Sequence, residues 1–238
     1  MKRCFGFLFL SLLLTAVLGC SCRDEIQSGL TQEKAIAPLQ NETTLPRVLL
    51  IGDSISMGYL PHVQQLLKGR AYVEHPAANC ESTIEGLREL DNWLGSGGWD
   101  VIHFNWGLHD CKYVDSQGRK VAVSIGRQKV PVEQYEKNLE ELVIRLKNTG
   151  AKLVFATTTP VPEDAIGRVK GDAARYNSVA IEIMRKHSIP VNDLYGLAME
   201  RLDDIQRPRN VHFTEPEGYE FLARQVAAEI QNVLSKRQ

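Results

Sequence analysis

Neither sign of charge dominates this chain: 28 Lys and Arg stand against 29 Asp and Glu in 238 residues. That balance argues against a nucleic-acid binder that works by neutralising phosphates, which needs a clear basic excess. No run is long and apolar enough to span a bilayer, a task that takes roughly 20 residues; the apolar stretch at the N-terminus falls short of it. Internal repeats and low-complexity tracts are absent. Cysteine and histidine never pair at the spacing of a zinc site, so His109-Asp110-Cys111 reads as a polar strand end and not as a metal site. What is present, 43% hydrophobic and 24% charged residues, is the composition of a globular domain with enough chain to bury a core.

The N-terminal stretch stands apart. Lys2 and Arg3 are followed by the almost wholly apolar Phe5 to Leu18, then by Gly19-Cys20. Charged, greasy, then small is the order of a secretory signal. Val17-Leu18-Gly19-Cys20 resembles a bacterial lipobox. That resemblance implies cleavage before Cys20 and lipid on that residue, hence an exported envelope protein that meets the membrane only through an N-terminal anchor. Plain cleavage nearby is the alternative. Residues 1–22 are assigned to the signal, residues 23–46 to a polar tether with little hydrophobic periodicity, and residues 47–238 to the folded domain.

In that domain, short apolar runs alternate with amphipathic ones. Strands are predicted at 47–52, 71–75, 99–105, 152–157 and 189–192, and helices at 59–69, 82–94, 131–149, 167–187 and 216–234. A hairpin-like excursion turning at Asp115-Ser116-Gln117-Gly118 is expected between Tyr113 and Val130. The order predicts an α/β fold: a three-layer αβα sandwich, flavodoxin-like, around a mostly parallel five-stranded sheet. Right-handed crossovers would gather the loops after the strands along one edge, where such sheets bind ligands.

Polar residues cluster at those strand ends. Gly52-Asp53-Ser54 follows the first strand and Asn79-Cys80-Glu81-Ser82-Thr83 the second. Gly107-Leu108-His109-Asp110 follows the third, and Asn210-Val211-His212-Phe213-Thr214 precedes the last helix. Alone, Asp53 or Ser54 could simply cap a helix. Together, the early Gly-Asp-Ser, the central Gly-x-x-Asp and the late His-Phe-Thr resemble the SGNH (GDSL-type) hydrolases over about 47–234. The resemblance implies a serine esterase that needs no metal or organic cofactor, with Ser54 as nucleophile and His212 as its general base. The N–H groups of Ser54 and Cys80, with the His109 side chain, would form the oxyanion hole, and Asn105 is the fallback donor. A small-molecule or polysaccharide ester with a short acyl group, acetyl above all, would be the substrate. Long acyl chains, or a binding protein that keeps the fold, are the rivals.

The chain departs from that family's pattern. Cys80 replaces a glycine and His109 an asparagine. Arg209 stands where an acid is usual, and neither it nor Asn210 is a carboxylate. Three readings stay open, in this order: a Ser-His dyad oriented by a backbone carbonyl, an acid supplied by Asp203 or Asp204, or a weakened site. Cys80 and Cys111 lie at neighbouring strand ends, so a disulfide is permitted outside the cytoplasm, and a Cys80 thiol nucleophile is a lesser alternative. His62, His75, His103 and His187 are expected to be surface or core residues. Trp106 is a candidate for the site rim. The segment 157–162 is either a stiff turn or a substrate-facing wall.

Overall fold

The computed structural model describes residues 45–236. The signal-like segment, Cys20 and the tether up to residue 44 fall outside the described residues. Along the chain, β1 (Arg47–Ile51) leads to α1 (Ser54–Leu66), β2 (Tyr72–Glu74) to α2 (Thr83–Leu94), and β3 (Val101–Phe104) to an excursion. The excursion holds β4 (Tyr113–Val114), a 3-10 turn (Val123–Ile125) and β5 (Arg127–Gln128). Then come α3 (Val132–Lys147), β6 (Lys152–Ala156), α4 (Asp172–Lys186), β7 (Val191–Asn192), the short α5 (Leu194–Met199) and α6 (Leu202–Ile205), and the closing α7 (Glu217–Ser235).

The main sheet has the order β2-β1-β3-β6-β7 and is parallel throughout, with Leu49, Ile102 and Leu153 in register. Both faces are covered, which is why its central strands are almost continuously apolar. Val48, Leu50, Val154 and Ala156 bury against Val63 of α1 and Leu222, Val226 and Ile230 of α7. Leu49, Ile51, Phe104 and Phe155 bury against Leu90, Leu142 and Met184 from α2, α3 and α4. This is the predicted α/β sandwich with its five-stranded parallel sheet.

The differences are local and have physical causes. α4 starts at Asp172, not at 167, because Gly167 and Gly171 have φ of +68° and +94°, outside the right-handed helical region. α1 begins earlier than its apolar periodicity suggests, because Asp53 caps it. α5 and α6, which the sequence pattern does not announce, are too short to show a periodic apolar face. The excursion is a small antiparallel hairpin pairing Tyr113 with Gln128 and Val114 with Arg127.

One close approach carries over into the site. Gly58 lies where α1 meets α7, and a Cβ there would come within 2.2 Å of the Tyr219 ring. Tyr219 also packs edge-on against Phe213, with ring centroids 6.0 Å apart at 61°. Replacing Gly58 by Val should therefore cost about 1–3 kcal/mol through overpacking. That lowers the melting temperature by about 2–4 °C per kcal/mol for a domain of this size. An unchanged thermal unfolding curve would show that Tyr219 does not rest on α1.

Candidate active site

The site begins where β1 stops. Gly52 turns the chain tightly: a Cβ there would stand 2.8 Å from Ser56 Oγ. Asp53 takes extended backbone and caps α1, its Oδ1 accepting the Ile55 N–H at 2.9 Å. The cap therefore falls to Asp53, and Ser54 becomes the first helical residue. Its N–H has no acceptor within the helix and stands at the positive end of the helix dipole.

His212 arrives from the other end of the chain, in the loop between α6 and α7. That loop is tied down at several points. Thr214 N–H donates to Ile205 O at 2.8 Å, Arg207 N–H to His212 O at 2.9 Å, and Gln206 Nε2 to Pro160 O at 2.8 Å. Phe213, fully buried, anchors it from below. The result puts His212 Nε2 2.9 Å from Ser54 Oγ.

The other ring nitrogen, Nδ1, lies 2.8 Å from Asn210 Oδ1. The same Asn210 atom accepts the His212 backbone N–H at 3.1 Å, so it must be the amide oxygen. Nδ1 therefore carries the hydrogen, and Nε2 presents a lone pair to the serine hydroxyl. Burial, reinforced by Arg207, Arg168 and Lys120, pushes the His212 pKa down, which keeps the ring neutral. A neutral imidazole with this tautomer can take the Ser54 proton.

This arrangement corrects the expected third member. Neither Asp203 nor Asp204 touches the ring; both are exposed, and Asp204 pairs with Arg201 at 3.6 Å. A backbone carbonyl does not orient His212 either. The partner is the Asn210 side chain, passed over in the sequence because it carries no charge. The available signal was its spacing: Asn two residues before a residue whose N–H it can accept is an Asx turn.

Two expected oxyanion donors are already occupied. The Cys80 N–H donates to Gly52 O at 3.0 Å. Asn105 Nδ2 donates to Ala156 O at 2.7 Å and lies 3.3 Å from Thr158 Oγ1. Both are corrections, and their cause is the same: these groups tie neighbouring strand ends together.

His109 is placed differently. Gly107 leaves β3 with a φ of +145°, and a Cβ there would meet Thr158 Oγ1. The turn carries His109 into a cleft of about 550 Å³ that it shares with Ser54, Asn79 and His212. Lys112 Nζ donates to His109 Nδ1 at 3.2 Å, which leaves the ring hydrogen on Nε2. Burial together with Lys112 and Arg168 lowers the His109 pKa to about 3, so the ring stays neutral. Among the described residues Nε2 has no hydrogen-bond partner and is free to donate. Asn79, missed as a site residue, also lines the cleft. Its Oδ1 accepts the Glu81 N–H at 2.9 Å, which leaves its Nδ2 uncommitted.

The remaining predicted residues hold the frame. Asp110, fully buried, accepts from Thr83 N at 2.9 Å and Thr83 Oγ1 at 2.5 Å, fastening α2 to the loop after β3. Cys80 and Cys111 are separate, buried thiols, and burial pushes each pKa up to about 12, far from a reactive thiolate. His75 contacts Ser56 Oγ at 2.8 Å, a second Ser-His pair, but Ser56 is only 3% exposed and lies outside the cleft. His103 is buried beside Asn192, and its pKa falls to about 4. Trp106 is buried and donates to Cys80 O at 3.3 Å, so it forms no rim. Thr157, Thr158 and Thr159 are buried too; the cleft wall comes from Ala165, Ile166 and Arg168 further along the same loop. Among the described residues no three His, Cys, Asp or Glu side chains converge as a metal site. A larger depression of about 670 Å³ beside Gly150 and Pro190 contains neither histidine nor carboxylate.

Comparison with known structures decides the fold. A lipase/acylhydrolase from Enterococcus faecalis superposes with a TM-score of 0.67 at 20% identity, covering 82% of this chain and 100% of that one. An acetyl xylan esterase gives 0.63 at 16% identity, covering 77% and 99%. An acetylxylan esterase from Geobacillus stearothermophilus gives 0.62 at 17% identity, covering 78% and 94%. The chain has the SGNH-hydrolase fold. No protein-family model matches it, and neither does any curated protein sequence. At these identities the SGNH likeness lives in backbone architecture.

The Asn210 contact can be tested without any substrate. A carboxylate facing Nδ1 would favour the charged imidazole. In Asn210→Asp the His212 pKa, followed by NMR, should therefore rise from below its ordinary value of 6.5 to above it. Titration unchanged from the parent would mean that residue 210 does not face the ring.

Proposed function

We propose that this protein is a serine-dependent carboxylic-ester hydrolase acting on short acyl esters, acetyl above all, carried on carbohydrate. The observation that carries the proposal is the 2.9 Å contact between His212 Nε2 and Ser54 Oγ with the base tautomer set from behind by Asn210. Neighbours named as acylhydrolases and acetylxylan esterases support the reaction and the substrate class.

Ser54 Oγ attacks the ester carbonyl while His212 Nε2 takes its proton. The tetrahedral oxyanion is held by the Ser54 N–H and the His109 Nε2–H. The imidazolium then protonates the leaving alcohol, and an acyl-serine remains. Water attacks that ester with His212 again as base, and the acid departs. Asn210 keeps the ring oriented through both halves. It stabilises the imidazolium less than a carboxylate would. Its oxygen still faces Nδ1, so the wrong-tautomer loss of an Asp-to-Asn triad, about 10⁴ in rate, is avoided. These steps require no metal or organic cofactor.

Acetyl release from nitrophenyl esters tests this directly. Ser54→Ala and His212→Ala should each lower kcat by about 10⁴ or more. His109→Ala should lose about 10²–10³, and His109→Asn should recover part of it. The acid limb of kcat/KM should lie below pH 6.5, because His212 must be neutral and its pKa is depressed. Full activity in Ser54→Ala would end the proposal. A rate that climbs with acyl length instead of peaking at acetyl would assign the site to long-chain substrates.

The basic, apolar and small-residue order of residues 1–20 supports export and lipid attachment at Cys20. Cys20→Ala should then abolish incorporation of a labelled fatty acid and release the protein from the membrane fraction. Labelling that persists in that variant would place the anchor elsewhere.

A further inference from the structure

A chain with a formal net charge of −1 concentrates cations at this cleft. Lys112, Lys120, Arg168 and Arg209 all line it, and among the described residues no Asp or Glu does. They come from different parts of the fold. Lys112 follows the loop after β3, Lys120 sits in the excursion, Arg168 in the loop before α4, and Arg209 beside Asn210. The placement is built in. Tyr113 N–H donates to Gly167 O at 2.8 Å, and a Cβ on Gly167 would press on Lys120 Cγ at 2.7 Å. The excursion is thus pressed onto the loop that carries Arg168.

Lys112 is partly neutralised, with Glu81 at 3.8 Å. The other three have no carboxylate oxygen within 4.0 Å among the described residues. Arg168 is the informative one. Its Nη1 is cut off from solvent and has no hydrogen-bond partner among the described residues. Asp53 and Asp110 are close enough to act on it through space. Neither accepts a hydrogen bond from the guanidinium: Asp53 Oδ1 accepts from Ile55 N–H and Asp110 Oδ1 from Thr83, while Asp110 Oδ2, like Arg168 Nη1, has no partner among the described residues. Arg168 as a whole is half-buried and lines the cleft, so an anion entering there can pair with its guanidinium.

We propose that the alcohol part of the substrate carries a carboxylate, so that the natural ester is an acylated acidic sugar, with Arg168 taking the carboxylate nearest the scissile bond. This rests on the esterase reading above. Lys120 and Arg209 sit at the exposed rim, on segments remote in sequence from each other and from Arg168. Cations spread in this way suit charges repeated along a glycan better than the single phosphate of a lipid headgroup. The cleft would also draw such a polymer in through its field.

The test uses the purified full chain and two acetylated oligosaccharides that differ only in charge: one of uronic acid units and one with the same carboxyl groups methyl-esterified. The acidic form should have a kcat/KM about tenfold or more higher at low salt. That advantage should shrink as ionic strength rises, while the neutral form changes little. Arg168→Gln, and separately Lys120→Gln with Arg209→Gln at the exposed rim, should bring the acidic-to-neutral ratio towards one. Should Arg168→Gln fail to fold, the rim variant and the salt series on the parent still decide. Equal rates on both sugars, with both hydrolysed, would overturn the inference and leave the esterase reading intact. No hydrolysis of either sugar or of nitrophenyl acetate would overturn the esterase reading itself. Faster, salt-sensitive hydrolysis of a lysophospholipid, with no preference between the sugars, would assign the cations to a lipid phosphate and overturn the sugar.

Discussion

The contact between Ser54 and His212 joins groups 158 positions apart in the chain, and it survives only if α1 and α7 lie side by side in one fixed setting. Gly58 makes that setting possible by leaving room for the Tyr219 ring. Tyr219 supports Phe213, and Phe213 is the neighbour of His212. Apolar packing beneath the site thus holds a hydrogen-bond distance above it. Interiors packed as densely as crystals transmit displacements, so a shift of the two helices would be felt at the serine.

The electrostatics of the cleft centre on neutrality. His212 and His109 both have depressed pKa values, from burial first and neighbouring cations second. A neutral His212 accepts a proton, and a neutral His109 held at Nδ1 by Lys112 donates from Nε2. Asn210 fits this setting. A carboxylate in its place would raise the His212 pKa and add a charge among Arg207, Arg168 and Lys120. The amide gives up part of the stabilisation of the imidazolium but orients the ring without that charge. In the proposed mechanism, the same cations that make a protonated His212 less favourable would make a developing oxyanion more favourable.

Much of the architecture was legible in the residues. Buried parallel strands must be apolar on both faces, and the runs at Val48–Ile51 and Leu153–Ala156 are. Gly52, Asp53 and Ser54 announced a tight strand-to-helix turn, and the His-Phe-Thr before the last helix picked out His212 through its resemblance to the SGNH hydrolases. The oxyanion donors were harder. A backbone N–H is present at every non-proline residue, so nothing in the letters reveals that the Cys80 N–H is taken by Gly52 O, or that Asn105 is taken by Ala156 O. The start of α4 was obscured because φ at Gly167 and Gly171 is set by the loop, not by periodicity.

By itself the sequence determined the class of fold, the edge of the sheet where chemistry gathers, and the nucleophile and base candidates. The fold class and the edge follow from periodicity and turn chemistry, which are local; the nucleophile and base candidates follow from the likeness of the Gly-Asp-Ser and His-Phe-Thr blocks to the SGNH hydrolases. Only the tertiary structure decided that Asn210 is the partner of His212, that His109 and not Asn105 is left free to donate, and that Arg168, Lys120 and Arg209 share one cleft. Each of these depends on which groups remain unpaired once the chain has closed on itself. Hydrogen-bond capacity is consumed across the whole molecule, so no local pattern records what is left.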